Sequence, residues 1–244
     1  MINAEDILDI LKQQDPISIV RVGDGECVAL DMVKSDADYN LAREDLFYKQ
    51  TGYILSDIEM KKVRDNLIES IAFADILGLP IQGQKSGPQW DRIRGAIKEH
   101  VGSYTKCWCD IDIHSEFLEK GYFQELIQHR NNLTYISCRN LDDKFNIPVN
   151  SFIVAPEWKF TSGYKGEHHY PEQFNSINNW VKGLNAKNNL LLYGAGTIGK
   201  IYGNWWRDLG GVAFDIGSVF DDWAGKVTRG EGRGADVNGG NYKL

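Results

Sequence analysis

The chain has 244 residues, with 27 Lys+Arg against 34 Asp+Glu for a net charge of -7, 42% hydrophobic residues, and 25 glycines to 6 prolines. That is enough chain for one large domain or two small ones whose core folds without staples, and it excludes a disordered protein. The acidic balance excludes a protein built mainly to grip a nucleic-acid backbone, because that binding depends on Lys and Arg displacing counterions.

Residues 4–14 place Ile7, Leu8, Ile10 and Leu11 at helical spacing, and Asp15-Pro16 stops the helix. The run Ile17-Ser18-Ile19-Val20 predicts a buried strand that ends in Arg21-Val22-Gly23-Asp24-Gly25-Glu26. From Ser56 to about Phe73, Met60, Val63, Leu67 and Ile71 predict a helix, and the segment Ala74 to Pro80 predicts a short strand. Trp90 to Val101 predicts a helix, Thr105 to Ile113 is mixed polar and aromatic, Ser115 to Gln128 predicts one helix, and Leu133–Ser137 and Phe152–Val154 predict strands. Lys159 to Glu172 is polar, holds paired histidines and lacks a period, as functional or disordered loops do. Helices over Phe174–Leu184 and Ile198–Leu209 then alternate with strands over Asn189–Tyr193 and Val212–Asp215. The glycine-rich tail Arg229–Leu244 predicts a loop that orders over a ligand.

Strands alternating with helices predict an α/β fold, a Rossmann-like and mostly parallel sheet with helices on both faces, in a single domain over 1–244. The four cysteines, Cys27, Cys107, Cys109 and Cys138, have neither metal-ribbon nor disulfide-framework spacing, so reduced packing thiols are expected. The N-terminus begins with an amphipathic pattern rather than a basic flank and apolar core, and no run approaches the ~18 apolar residues of a membrane span. A cytoplasmic protein with no transmembrane segment is expected.

Two motifs carry chemistry. Leu190 to Gly199 reads as strand, G-x-G-x-x-G turn (Gly194, Gly196, Gly199) and helix start, where glycines admit a phosphate to a helix N-terminus. Asp215 follows at the end of the next strand, where a dinucleotide fold puts a ribose-binding carboxylate. A nicotinamide-dependent oxidoreductase and a non-catalytic nucleotide-binding module are therefore alternatives, although little chain remains after the turn for a dehydrogenase. In the other motif, Asp24 and Glu26 stand at i and i+2 and, in an extended segment, project to one side. Gly23 and Gly25 remove side chains that would crowd a ligand, and two hard oxygens suit Mg²⁺ or Mn²⁺ bound together with substrate phosphates. Arg21 matches a phosphate with its guanidinium fork. The same segment also reads as a polar turn in which Asp24 caps a following helix.

Arg21–Glu26 resembles the R-x-G-D-G-E segment of the GT-D-type glycosyltransferases. Ala74–Pro80, His169-Tyr170-Pro171, and Gly194-Ala195-Gly196 through Asp215–Asp221 are similar to the same family in the same order. The resemblance implies a GT-D-like domain that transfers a sugar, as a hexosyltransferase does, from a nucleotide-sugar donor, a UDP-sugar, to a glycan or glycoprotein acceptor. It implies Mn²⁺ or Mg²⁺ on Asp24 and Glu26, donor contacts from Arg21, Gly23, Gly25, Gly194, Gly196 and Asp215, and a role for His169. Association with other glycosyltransferases or with a second copy is also expected. A metal ion would stabilise the departing nucleoside diphosphate, whereas an inverting transfer needs a base for the acceptor hydroxyl. Asp215, Glu157, Asp221 and His169 are the candidates, with Asp215 preferred. The seven tryptophans offer sugar-stacking faces or core, and Trp205-Trp206, about 100° apart on a helix, cannot both face one site.

Overall fold

The computed structural model describes residues 1–80, 87–102, 107–157 and 165–226. Trp158, residues 159–164 of the polar loop and the tail Arg229–Leu244 lie outside the described residues.

Seven strands form one sheet: β1 (Ile17–Arg21), β2 (Ile76–Leu79), β3 (Cys107–Asp110), β4 (Leu133–Ser137), β5 (Val149–Ile153), β6 (Leu190–Gly194) and β7 (Val212–Asp215). Their order is β3-β2-β1-β7-β6-β4-β5, and each neighbouring pair is parallel. The sheet is thus wholly parallel, and its inner strands read as apolar runs because both faces are covered. One face takes Val20, Leu77, Leu191 and Ala213 into a core with α2 (Asp24–Asp31), α5 (Asp57–Phe73), α6 (Pro88–His100), α9 (Phe174–Gly183) and α10 (Gly196–Asp208). The other takes Ile19, Ile76, Tyr135, Leu192 and Phe214 against α1 (Ala4–Lys12), α7 (Ile113–Glu119), α8 (Tyr122–Gln128) and α11 (Val219–Trp223).

Local chemistry sets the helix limits. Asn3 and Asp6 form a capping box at α1, and Ser56 and Glu59 form another at α5, each satisfying N–H groups the helix cannot. The helix expected over Ser115–Gln128 is two, because Gly121 takes a left-handed φ of 73° between α7 and α8. In α10, Trp206 is fully buried and donates its indole N–H to the Asn189 carbonyl at 3.0 Å, while Trp205 is only partly buried. Trp223 packs among Phe123, Phe145 and Phe220 as core. Between β1 and α5 the chain forms α2, α3 (Asp36–Asn40), a π-helical turn (Leu41–Phe47) and α4 (Tyr48–Thr51). None is long enough to show a clear sequence period.

No helix among the described residues is long and apolar enough to cross a membrane.

Candidate functional site

Neighbouring strands β1 and β7 lead to opposite faces, β1 into α2 and β7 into α11, so a crevice opens at their C-terminal ends. There a cleft of about 820 Å³ is lined by the ends of β1, β6 and β7, the N-termini of α2 and α10, and the segments after β4 and β5. This volume is in the range of small-molecule sites.

Its floor is an ion cluster. Arg21 donates from its backbone N–H to Asp215 Oδ2 at 3.2 Å, from Nε to the Asp215 carbonyl at 3.0 Å, and from Nη2 to Asp215 Oδ1 at 3.4 Å. Its Nη1 donates to the Ile111 carbonyl at 3.3 Å and lies 2.8 Å from His114 Nδ1. Lys200, in the second turn of α10, bonds Asp215 Oδ2 from the other side and stands 3.9 Å from Glu26 Oε1. Asp215 is 1% exposed. Burial works to raise its pKa, but the Arg21 and Lys200 charges and their hydrogen bonds outweigh that and hold the carboxyl below the usual carboxylate range. Two glycines make room for the arginine: a Cβ on Gly78 would lie 2.8 Å from Arg21 Cγ, and one on Gly217 (φ 52°) only 2.1 Å from Nη2.

The Asp24–Glu26 segment is not extended. Gly23 occupies the N-cap of α2, Asp24 and Glu26 are its first and third residues, and side chains two apart on a helix point about 200° from each other. Glu26 turns back to accept the Gly23 N–H at Oε2, 2.8 Å away, and is buried. Asp24 is exposed at the cleft and, among the described residues, accepts only its neighbour Gly25's N–H, at 3.0 Å. Both carboxylates line the cleft, but the expected pairing on one side of a strand is corrected to helix-start positions. For a divalent ion the donor set is one exposed carboxylate plus Glu26 Oε1, the oxygen outside the capping bond. That fits an ion taking most ligands from substrate and water, not an all-protein cage. Among the described residues, the one group of three metal-capable side chains close enough to share an ion is Asp31, Glu99 and His100, and Lys34 and Arg92 already neutralise Asp31 there.

The glycine turn also differs from its expected role. Gly194 permits close packing, since a Cβ there would meet the Gly217 carbonyl oxygen at 2.5 Å, and a Cβ on Gly25 would meet Thr197 Oγ1 at 2.8 Å. Gly196 has φ 64° and abuts Gln50, whose Oε1 accepts the Thr197 N–H at 3.1 Å and whose Nε2 donates to Thr197 Oγ1 at 3.2 Å. A protein amide thus occupies part of the α10 N-terminus.

Two base candidates change character. Asp215 is buried, ionised and held by two cations, so it has neither the access nor the proton affinity of a general base, nor is it open to a ribose. His169 lies at the cleft wall but is 4% exposed, 2.6 Å from the Tyr202 hydroxyl, and burial pushes its pKa down to about 4. It is neutral at physiological pH and takes up a proton poorly. Asp221 pairs with Arg139 at 2.7 Å. Glu157 is partly exposed and lines the cleft. Of the described tryptophans only Trp90 lines it.

Sequence reasoning missed Lys200, Gln50 and His114. A lysine directly after Gly199, within the apolar run Ile198, Ile201 and Tyr202, was a usable signal for Lys200. Gln50 and His114 carry none, since only the tertiary fold brings them in.

The sequence profile of the GT-D fold-like domain matches residues 3–145, more than half of the chain. No curated protein matches the sequence. Among solved structures, one described as a new glycosyltransferase of domain of unknown function 1792 from Streptococcus sanguinis is 17% identical, with 91% of this chain and 82% of that chain covered at a TM-score of 0.56. Another of the same domain type, described as having a distinct glycosyltransferase fold, is 14% identical, with 91% and 79% covered at 0.56. At such identities the likeness is one of fold, here an α/β glycosyltransferase fold. Taken with the profile match, it shows that this chain belongs to the GT-D fold-like domain family.

Proposed function

We propose that this protein is a glycosyltransferase that moves a sugar from a nucleotide-sugar donor, a UDP-sugar, to a hydroxyl of a glycan or glycoprotein. The observation that carries this reading is the charge of the cleft. Its described lining holds six carboxylates against four Lys and Arg side chains, and Arg21 and Lys200 are already engaged by Asp215. A diphosphate entering there needs an additional cation. Asp24 and Glu26 Oε1 would hold Mg²⁺ or Mn²⁺, which supplies positive charge to the departing nucleoside diphosphate. Asp215 is then a positioning residue that fixes Arg21 and Lys200 at the donor end. His169, neutral and bonded to Tyr202, shapes the wall. For an inverting transfer, Glu157 is the remaining carboxylate of the original four candidates with the exposure to take the acceptor's proton.

The test is release of nucleoside diphosphate from a panel of sugar nucleotides with and without Mn²⁺. Asp24→Asn combined with Glu26→Gln should lower Mn²⁺-dependent release by about 10²–10³-fold, the scale of several kcal/mol of charge stabilisation. Unchanged turnover in that double variant removes these residues from the mechanism. An oxidoreductase would instead be stabilised by NAD(H) alone, by about 2.7 kcal/mol at 100 times Kd.

A further inference from the structure

One end of the cleft is built where β4 and β5 finish. Strands β7 and β6 stand between β1 and β4, so the ends of β1 and β4 lie roughly 14 Å apart across the sheet. On the β4 side Ser137, Arg139, Pro156, Glu157 and Asp221 line the wall. The backbone carrying them is pinned. The Val154 N–H donates to the Ser137 carbonyl at 3.0 Å, the Ala155 N–H to Gln173 Oε1 at 2.6 Å, and the Arg139 N–H to Ser137 Oγ at 3.2 Å. Asp221 sits on α11, which Phe220 and Trp223 seat in the core.

The protein uses only part of Arg139. Its Nε donates to Asp221 Oδ1 at 2.7 Å, whereas Nη1 and Nη2 make no hydrogen bond among the described residues, and the side chain is 22% exposed at the cleft. Arg21 differs, since all three of its guanidinium nitrogens have partners. A guanidinium tied at Nε holds its plane and offers both Nη groups as a pre-set pair of donors, so little side-chain freedom is lost when a ligand binds. Beside them stands the Asp221 carboxylate, an acceptor on the same wall.

Local charge decides what such a fork takes. A lone arginine fork suits a carboxylate or a phosphate. Here burial works to lower the Arg139 pKa, but the Asp221 hydrogen bond and the Asp221 and Glu157 charges outweigh it and hold the group above the ordinary arginine value. An anion would meet both of those carboxylates. A neutral sugar meets no such repulsion, and its neighbouring hydroxyls, each both donor and acceptor, match donors set beside a carboxylate.

We propose that Arg139, paired with Asp221, recognises the acceptor by taking two neighbouring hydroxyls of a neutral saccharide at the β4 end of the cleft. This rests on the glycosyltransferase reading, with the donor's diphosphate at Asp24 and Glu26 and the acceptor's proton passing to Glu157 on the same wall as Arg139.

The experiment is an NMR titration of the full chain, with Mn²⁺ and UDP present, using methyl glucoside, methyl galactoside, methyl N-acetylglucosaminide and methyl glucuronide. At least one neutral glycoside should bind. Arg139→Lys keeps a charge beside Asp221 but loses the fork, and should weaken that binding by about tenfold or more, the scale of one charge-assisted hydrogen bond. Mono-deoxy analogues of the same glycoside carry the finer test. Removing a recognised hydroxyl should weaken binding to wild type by a similar factor and cost nothing further in Arg139→Lys, because both changes delete one interaction. The Kd of UDP with Mn²⁺ should change by less than about twofold in the variant, as expected of separate sites. The proposal is overturned if no neutral glycoside binds, if Arg139→Lys binds it like wild type, or if the glucuronide binds about tenfold tighter than every neutral glycoside. It is also overturned if the variant weakens UDP as strongly as the glycoside, which would put the donor's ribose on the fork. Release of UDP from sugar nucleotides is read separately: its absence in wild type refutes the transferase, whereas a glycoside that binds independently of Arg139 refutes only this assignment.

Discussion

Asp215→Asn tests the ion cluster most directly. The substitution keeps the side chain's shape but removes its charge, leaving the Arg21 and Lys200 cations, 12% and 10% exposed, without their shared counterion. The new amide also turns an N–H₂ toward one of the donors that the carboxylate accepted. Removing one partner of a buried pair costs about 3–5 kcal/mol. In a chain of this length each kcal/mol moves Tm by roughly 2–4 °C, so a fall of about 6–20 °C is expected. Urea unfolding followed by circular dichroism at pH 7 gives the free energy directly. The pH dependence has a definite sign. Because the folded state holds Asp215 below its ordinary value of 3.8, the carboxylate's contribution is fully present above that value and is lost as pH falls through the lower, folded one. The gap between wild type and variant should therefore be widest at neutral pH and close progressively below about pH 4. A loss under about 1 kcal/mol at pH 7, or a gap that stays constant into acid, refutes the reasoning.

Gly217→Ala forces a Cβ to within 2.1 Å of Arg21 Nη2 at a left-handed φ of 52°, and should cost about 2 kcal/mol or more in urea unfolding; a value within 0.5 kcal/mol of wild type contradicts the crowding. Gln50→Ala removes the acceptor for the Thr197 N–H at the start of α10, and a loss of about 1 kcal/mol, the scale of a helix cap, is expected from the same measurement. Asp31→Ala removes a carboxylate that is 3% exposed, but its cationic partners Lys34 and Arg92 are each 36% exposed and regain water, while His100, whose Nε2 lies 3.3 Å from Asp31 Oδ1, loses one contact. Its cost should stay near 1–2 kcal/mol, below that of Asp215→Asn, and the reverse order would mean that exposure does not govern these pairs.

Much of the sheet was legible because inner parallel strands are apolar runs: Ile17–Val20, Leu190–Tyr193 and Val212–Asp215 declare themselves without tertiary information. Strand β3 did not, since at the sheet's edge Cys107-Trp108-Cys109-Asp110 carries polar and partly exposed residues and lacks the β-branched signature. The α2 helix was legible only in the alternative reading of a helix after the motif, and there its cap was misplaced: Gly23, not Asp24, is the N-cap, and Gly25 admits Thr197. Arg21, Asp24, Glu26 and Asp215 were legible as members of one cleft, but their roles were not. Whether a carboxylate is a base or a clamp depends on which cations stand beside it. Arg21 and Lys200 reach Asp215 through a strand pairing and a helix packing far apart in sequence.

The strand order has a consequence for how the chain acquires this structure. Strands β1 and β4 both fall within residues 3–145, yet in the sheet they are separated by β7 and β6, which are made last. A growing chain can join β1, β2 and β3, but β1 keeps one backbone edge open and Arg21 without its counterion until Val212–Asp215 emerges. The central pairing is thus the most delayed during synthesis, and contacts of such sequence separation form slowly. Through that interval the open edge of β1 is the surface most exposed to mispairing, and it is the one a chaperone would have most reason to cover.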